Sequence, residues 1–205
     1  MRVRSEARRA AIIEEAAALF LETGYERASM NELARRCGGS KATLYGYFAS
    51  KEELFIAVVR SFATDHLSAA IRVIATEAAH DAPIGKLLMK FAECLLQVVT
   101  DDARAIDVYR MVMAEAGRSD VGELFHRSGP SECIAALAEA LSDAMQRGEL
   151  APFDPYIRAR QFTNLTTAEV EIRLYQRHPE PVTVAEIHAM AERAVKMFLC
   201  GARAG

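Results

Sequence analysis

The sequence predicts an all-α fold, and three observations carry that prediction. Ala, Leu, Glu and Arg dominate the composition. Apolar residues recur at helical spacing nearly throughout, with no alternating strand patterns. The six prolines stand at the edges of the periodic runs and not inside them. With 205 residues, 51% of them hydrophobic, the chain can bury a sizeable core and fill one or two domains.

Each helix has start or stop signals. Residues 5–23 form the first, with Ile12, Ile13, Ala16, Ala17, Leu19 and Phe20 on one apolar face and Gly24 placed to end it in a left-handed conformation. Ser29-Met-Asn-Glu32 has the form of a capping box, so a helix starts at Met30, and Gly38-Gly39 ends it early. Ser40 is an N-cap for a second short helix over 41–47. Ser50-Lys-Glu-Glu53 is another capping box. It opens one long helix over 51–78, with Leu54, Phe55, Val58, Phe62 and Ile71 on its buried side.

Later helices are longer. Pro83 precedes one over 84–100, and Gly117 follows one over 103–116. Gly129-Pro130 and Asp154-Pro155 each place Pro at a first helical position, opening helices over 131–147 and 156–177; Gly148 closes the former. Thr183-Val-Ala-Glu186 caps the last helix, which reaches about Cys200. No internal repeat or low-complexity linker interrupts the chain. The boundary falls at the long helix, giving a head over 1–51 rigidly joined to a body over 52–205.

Several function classes are excluded at this level. Cys37, Cys94, Cys133 and Cys200 are far apart, with no C-x-x-C and no His at ligand spacing, so no metal site, disulfide framework or cofactor is expected. Reduced thiols, a charged N-terminus with no signal-peptide pattern, and the lack of an apolar run near ~20 residues predict a cytoplasmic protein without membrane association. His66, His80, His126, His178 and His188 form no H-E-x-x-H, and no phosphate loop or nucleophile elbow is present, so no enzyme is expected.

The net charge is only −3, but it is unevenly divided. Residues 1–51 hold nine Lys/Arg and six Glu, a net of +3, while the rest hold 16 Lys/Arg and 22 Asp/Glu, a net of −6. A basic head on an acidic body suits a nucleic-acid-binding module joined to a body that does not bind; ordinary variation in surface charge gives the same split.

Two short helices joined by a Gly-containing turn form a helix-turn-helix pattern over 29–51. The second helix must be slim and polar on one side to enter a major groove roughly 12 Å wide. Leu44 and Phe48, four apart, face the core, leaving Lys41, Ala42, Thr43, Tyr45, Gly46 and Tyr47 for the groove or its rims.

Residues 28–54 resemble the signature of the TetR family of transcriptional regulators. The matching groups are the turn Ala34-Arg-Arg-Cys-Gly-Gly-Ser40, then Thr43-Leu-Tyr-Gly-Tyr-Phe48, then Lys51-Glu-Glu-Leu54. The resemblance implies phosphate contacts from Ser29, Thr43, Tyr47 and Lys51, helped by backbone N–H groups at the helix N-termini where Ser29 and Ser40 stand. Lys41, Ala42, Tyr45 and Asn31 are the candidates for base or groove contact, and Gly46 lets the backbone approach closely. Arg2, Arg4, Arg8 and Arg9 form an arm that reaches a neighbouring groove, or else a solvated helix start. Two departures stand out. Gly39 replaces the family's usual Val, and Gly46 costs the second helix up to ~1 kcal/mol of propensity. Both suggest a recognition helix that is loose until DNA firms it.

The resemblance further implies a homodimer on near-palindromic double-stranded operator DNA, formed by the last two helices. Leu165, Ala168, Ile172 and Tyr175 would make one stripe, and Ile187, Met190, Ala191, Ala194, Val195, Phe198 and Leu199 another; these are also consistent with intramolecular core. Residues 109–177 look broadly like the body of AcrR/AefR-type regulators. The middle helices would then hold a small-molecule effector, unidentified by sequence. Phe91, Leu95, Val98, Tyr109, Met113, Phe125, Phe162 and Thr166 are the ligand-binding candidates, with Asn164, Glu169, Arg110 and His126 as polar ones. The implied function is a repressor released from its operator by a lipophilic ligand. The alternative is a DNA-binding regulator of either direction without an effector.

Overall fold

The computed structural model describes residues 5–79, 82–100 and 103–202. Among them lie eleven α-helices and no β-strand: α1 (Glu6–Thr23), α2 (Met30–Arg36), α3 (Lys41–Tyr47), α4 (Lys51–Val59), α5 (Asp65–Ala79), α6 (Ile84–Thr100), α7 (Ala103–Glu115), α8 (Val121–Arg127), α9 (Pro130–Gln146), α10 (Pro155–Thr167) and α11 (Val184–Ala202). A π-helical segment, Arg60–Thr64, follows α4, and a 3-10 segment, Glu171–Tyr175, follows α10. The chain forms two compact units, residues 1–63 with 107–128, and residues 64–106 with 129–205.

In the first unit α1, α2, α3 and α4 surround one apolar cluster. Phe20, Tyr25 and Phe55 meet ring to ring at centroid distances of 5.0–5.8 Å, and Leu33, Leu44, Phe48, Leu54 and Val58 fill the space around them. Val108, Met111 and Val112 of α7, with Val121 and Leu124 of α8, belong to the same cluster. The sequence reading places no helix at α8, although Asp120 followed by Glu123 has the form of a helix start; in the structure Asp120 makes no side-chain cap bond. A Cβ on its Gly122 would lie 2.9 Å from the Ala116 Cβ, so burial of Val121 and a close approach that only Gly allows hold this short helix in place.

In the second unit α5, α6, α9, α10 and α11 enclose a larger core that includes Leu88, Phe91, Leu96, Leu137, Leu141, Phe162 and Phe198. Pro130 and Pro155 stand in the first turns of α9 and α10 as expected. Thr183 and Glu186 complete a capping box at α11: the Thr183 N–H donates to Glu186 Oε2 at 2.8 Å, and the Glu186 N–H to Thr183 Oγ1 at 3.2 Å.

Three expectations need correction. The single helix expected over 51–78 is interrupted at Arg60–Thr64. Leu54, Phe55, Val58 and Phe62 serve the first core, whereas Leu67, Ala70 and Ile74 serve the second. The helix expected over 156–177 stops at Thr167. Thr163, Thr166 and Thr167 each donate a hydroxyl to the carbonyl four residues back, at 2.9–3.3 Å, a pattern that weakens and bends helices. Finally, Gly24 ends α1 with φ 79°, ψ 157°. That is the extended positive-φ region open essentially to glycine alone, not the left-handed helical one. Among the described residues no single helix is long and apolar enough to cross a membrane.

Candidate nucleic-acid interface

The site is built from the ends of two short helices. Ser29 Oγ accepts the Glu32 N–H at 3.1 Å and Ser40 Oγ accepts the Thr43 N–H at 3.1 Å, so both expected N-caps are made. The Ser29 box is only half formed. Glu32 turns away to a bidentate pair with Arg35 at 2.9 and 2.7 Å and to Arg36 Nε at 3.1 Å. Those bonds hold the Glu32 carboxyl down to about 2, from an ordinary value of 4.5. Arg36 also grips Glu22 of α1 at 2.6 and 3.0 Å, and that bond lowers the Glu22 pKa in turn. α2 is thereby tied to α1.

Between the helices the chain turns in a Schellman motif. The Gly38 N–H donates to Arg35 O at 3.1 Å and the Gly39 N–H to Ala34 O at 3.0 Å, with Gly38 at φ 59°. The turn is closed further by Arg8, whose Nη2 donates to the Cys37 carbonyl. Burial pushes the Cys37 thiol pKa up, against the opposing pull of the Arg8 charge.

α3 presents two faces. Leu44 and the following Phe48 are fully buried in the first core. Lys41, Ala42 and Thr43 are exposed, Tyr45 is 42% exposed, and Gly46 and Tyr47 are half-buried. Lys41 Nζ lies 5.7 Å from the Tyr45 ring centroid, one turn on. Ser40 Oγ and Thr43 Oγ1 are 2.9 Å apart, so this pair uses one hydroxyl proton between them and keeps one to donate outward. Ser29, the N-cap of α2, and Asn31 on that helix are exposed. The face expected from the sequence is thus assembled on one pair of helices.

Lys51 and the arm are arranged differently. The Lys51 ammonium donates to the carbonyls of Tyr25, Glu26 and Ala28 at 2.9, 3.2 and 3.4 Å and sits 4.3 Å from the Tyr25 ring centroid. These bonds brace the connection between α1 and α2 and draw the ammonium toward the protein. Arg9 lies over the Phe48 ring at 5.0 Å, and Arg8 is committed to the turn. Arg2 and Arg4 lie outside the described residues. Sequence reading missed the braces of Lys51 and Arg8 because their acceptors are 23–29 residues away along the chain.

The ligand-binding candidates are divided between the two units. Phe91, Leu95, Val98, Phe162 and Thr166 are buried in the second core, where the Phe162 ring stands 6.1 Å from that of Phe91 and 4.9 Å from that of Phe198. Tyr109, Met113 and Phe125 belong to the first unit. Tyr109 and Phe125 stack edge to face at 5.7 Å, and Met113 is 60% exposed. An open groove of about 410 Å³ on the second unit is lined by Glu169, Arg173, Gln176, Glu186, Met190 and Arg193, among others, and by none of the eight candidates. Of the polar candidates only Glu169 lines it, paired with Arg193 at 2.6 and 2.8 Å; Asn164 and His126 are exposed, and Arg110 pairs with Asp107.

Two capped helices joined by a closed turn, with an apolar inner face and a polar outer one, define a helix-turn-helix DNA-binding protein. Residues 12–58 match the family described as bacterial regulatory proteins, tetR family, and residues 86–201 match the AefR-like transcriptional repressor, C-terminal domain. An uncharacterised HTH-type transcriptional regulator of Mycobacterium tuberculosis is 32% identical over 160 residues, covering 77% of this chain and 71% of that protein. The HTH-type transcriptional activator FasR of Mycolicibacterium smegmatis is 38% identical over 71 residues, 35% of this chain but only 32% of FasR. The solved structure of the flavonoid-responsive regulator FrrA superposes with a TM-score of 0.71 at 28% identity, over 97% of this chain and 98% of that one. The chain belongs to the TetR family of DNA-binding transcriptional regulators.

Proposed function

We propose that the protein binds a near-palindromic operator as a homodimer, represses the neighbouring gene, and is released by a small lipophilic ligand. The exposed face of α3 carries the DNA-binding part: Lys41, Ala42, Thr43 and Tyr45 project outward while Leu44 and Phe48 anchor the helix. On this reading Lys41 reads a base edge, with Ala42, Tyr45 and Asn31 beside it. Ser29, Ser40, Thr43 and Tyr47 position the module on phosphates, and Gly46 admits the backbone. Residues 1–51 bind DNA and 52–205 bind ligand and dimerise. The match of 86–201 to an AefR-like repressor domain supports the direction of control, and the name of FrrA supports a lipophilic aromatic effector.

A footprint of the promoter beside the gene, titrated with a flavonoid and with a long-chain fatty acid, tests this reading. Protection of two half-sites about 34–36 Å apart, relieved by one compound, is the expected result. Lys41→Ala should relax preference at one base position by roughly 1–3 kcal/mol. Uniform weakening across sequences would move Lys41 to the phosphate contacts. Equal ligand affinity for free and operator-bound protein would sink the release mechanism, because a ligand shifts only what it binds differentially.

A second reading, a regulator of either direction without an effector, is favoured by two observations. FasR is an activator, and Phe162 is already packed between Phe91 and Phe198. Operator binding that no compound in the titration changes would select it.

A further inference from the structure

The two glycines of the turn differ in what they require. Gly38 has φ 59°, and a Cβ there would meet nothing within 4 Å, so its glycine answers a backbone demand. Gly39 has no positive φ, yet a Cβ there would stand 3.2 Å from Arg8 Nη2. Its glycine answers a side chain from another helix. That same Nη2 donates to the carbonyl of Cys37, the C-cap of α2. A guanidinium there satisfies a carbonyl that the helix leaves without an internal partner, and its charge suits the negative end of the helix dipole.

From this geometry we infer that Arg8 is a positioning residue for DNA recognition: reaching across from α1, it locks the turn between α2 and α3, and Gly39 is the space it needs. The inference rests on the DNA-binding reading of α3 but concerns how α3 is held. It assigns Arg8 a role other than a phosphate contact, and it replaces looseness at Gly39 with a filled site. Arg8 and Gly39 then form a matched pair, in which loss of one makes the other unnecessary.

Hydrogen exchange on the free protein tests the lock without DNA. In Arg8→Ala the bonded amides of Gly39, Thr43 and Leu44 should exchange about tenfold faster or more, as expected for losing a charge-assisted bond, while those of α4 stay unchanged. Unchanged exchange at the turn overturns the proposal. On the footprinted site, Arg8→Ala should weaken binding with the slope of log K against log salt unchanged. A slope shallower by about 0.9 would place Arg8 on a phosphate and overturn it. Gly39→Val should weaken binding on its own, and Arg8→Ala/Gly39→Val should recover part of that loss. Strictly additive effects also overturn it. If the wild-type protein footprints nothing, the DNA-binding reading has failed, and the exchange result still decides whether the turn is locked.

Discussion

Glu32 shows how one side chain is taken from a capping role and used for bracing. Its spacing from Ser29 suits a capping box, but Arg35 and Arg36 outcompete the Ser29 N–H because a charged donor binds a carboxylate more strongly than a neutral amide does. The carboxyl is held to about 2, chiefly by its bond to Arg35 and then by that to Arg36. A lowered folded-state value means that the stabilisation is fully present above the ordinary 4.5 and is lost as pH falls through about 2. The group is solvent-accessible, so salt screens it. An NMR titration should place the Glu32 midpoint near 2, and Arg35→Ala should move it toward 4.5. A wild-type midpoint already at 4.5 would show that the Arg bonds do not persist in solution. Side chains of this kind divide what sequence can tell. The caps at Ser29, Ser40 and Ser50 were legible because donor and acceptor are three residues apart. The bond from Arg36 to Glu22 spans 14 residues and depends on how two helices meet, which no local pattern encodes.

At the scale of elements, the head depends on a brace that also crosses the chain. Lys51 opens α4, where a cation sits badly with the positive end of the helix dipole. It is held there by the carbonyls of Tyr25, Glu26 and Ala28, which tie the start of α4 to the connection between α1 and α2. Lys51→Met keeps the aliphatic stem and removes the donor, leaving half-buried carbonyls without their cation. It should cost about 1.5–3 kcal/mol in urea denaturation. The salt slope of DNA binding should stay as it was; a slope lower by about one would restore Lys51 to the phosphate contacts. Helix identities were largely readable because periodicity and caps are local signals. Their continuity was not. The apolar residues before and after the π segment at Arg60–Thr64 serve different cores, and a pattern of spacing does not say which core each residue serves. The stop at Thr167 was closer to the surface of the sequence, since three threonines within five residues already carry hydroxyls able to bond back to the helix.

At the scale of the whole molecule the same ambiguity governs the dimer. The stripe on α11 that suggested a partner helix, Ile187, Met190, Ala191, Ala194, Val195 and Phe198, is buried within its own unit, with Leu199 partly so. Ile172 and Tyr175 remain exposed, but on the 3-10 segment and not on a continued α10. A helical stripe shows that a face is covered without showing by what. The apolar residues left open on the last two helices are others: Tyr156 and Ile157 at the start of α10, with Phe153 just before it, and Val184 and Met197 on α11. On the dimer proposed above, the large apolar side chains left exposed on these two packed helices are what a second copy would cover. Ile157 is 46% and Met197 68% exposed, so replacing both with Asp should leave helix content and the monomer core intact while burying charge in any dimer formed through them. Sedimentation equilibrium should then show a monomer where the wild type is a dimer. Operator affinity should fall by about 10²-fold or more, because the second half-site is no longer bound intramolecularly. If the double variant still sediments as a dimer, α10 and α11 do not pair through this face. If it is monomeric but binds the operator unchanged, each head finds its half-site alone, and the two-fold operator loses its physical reason.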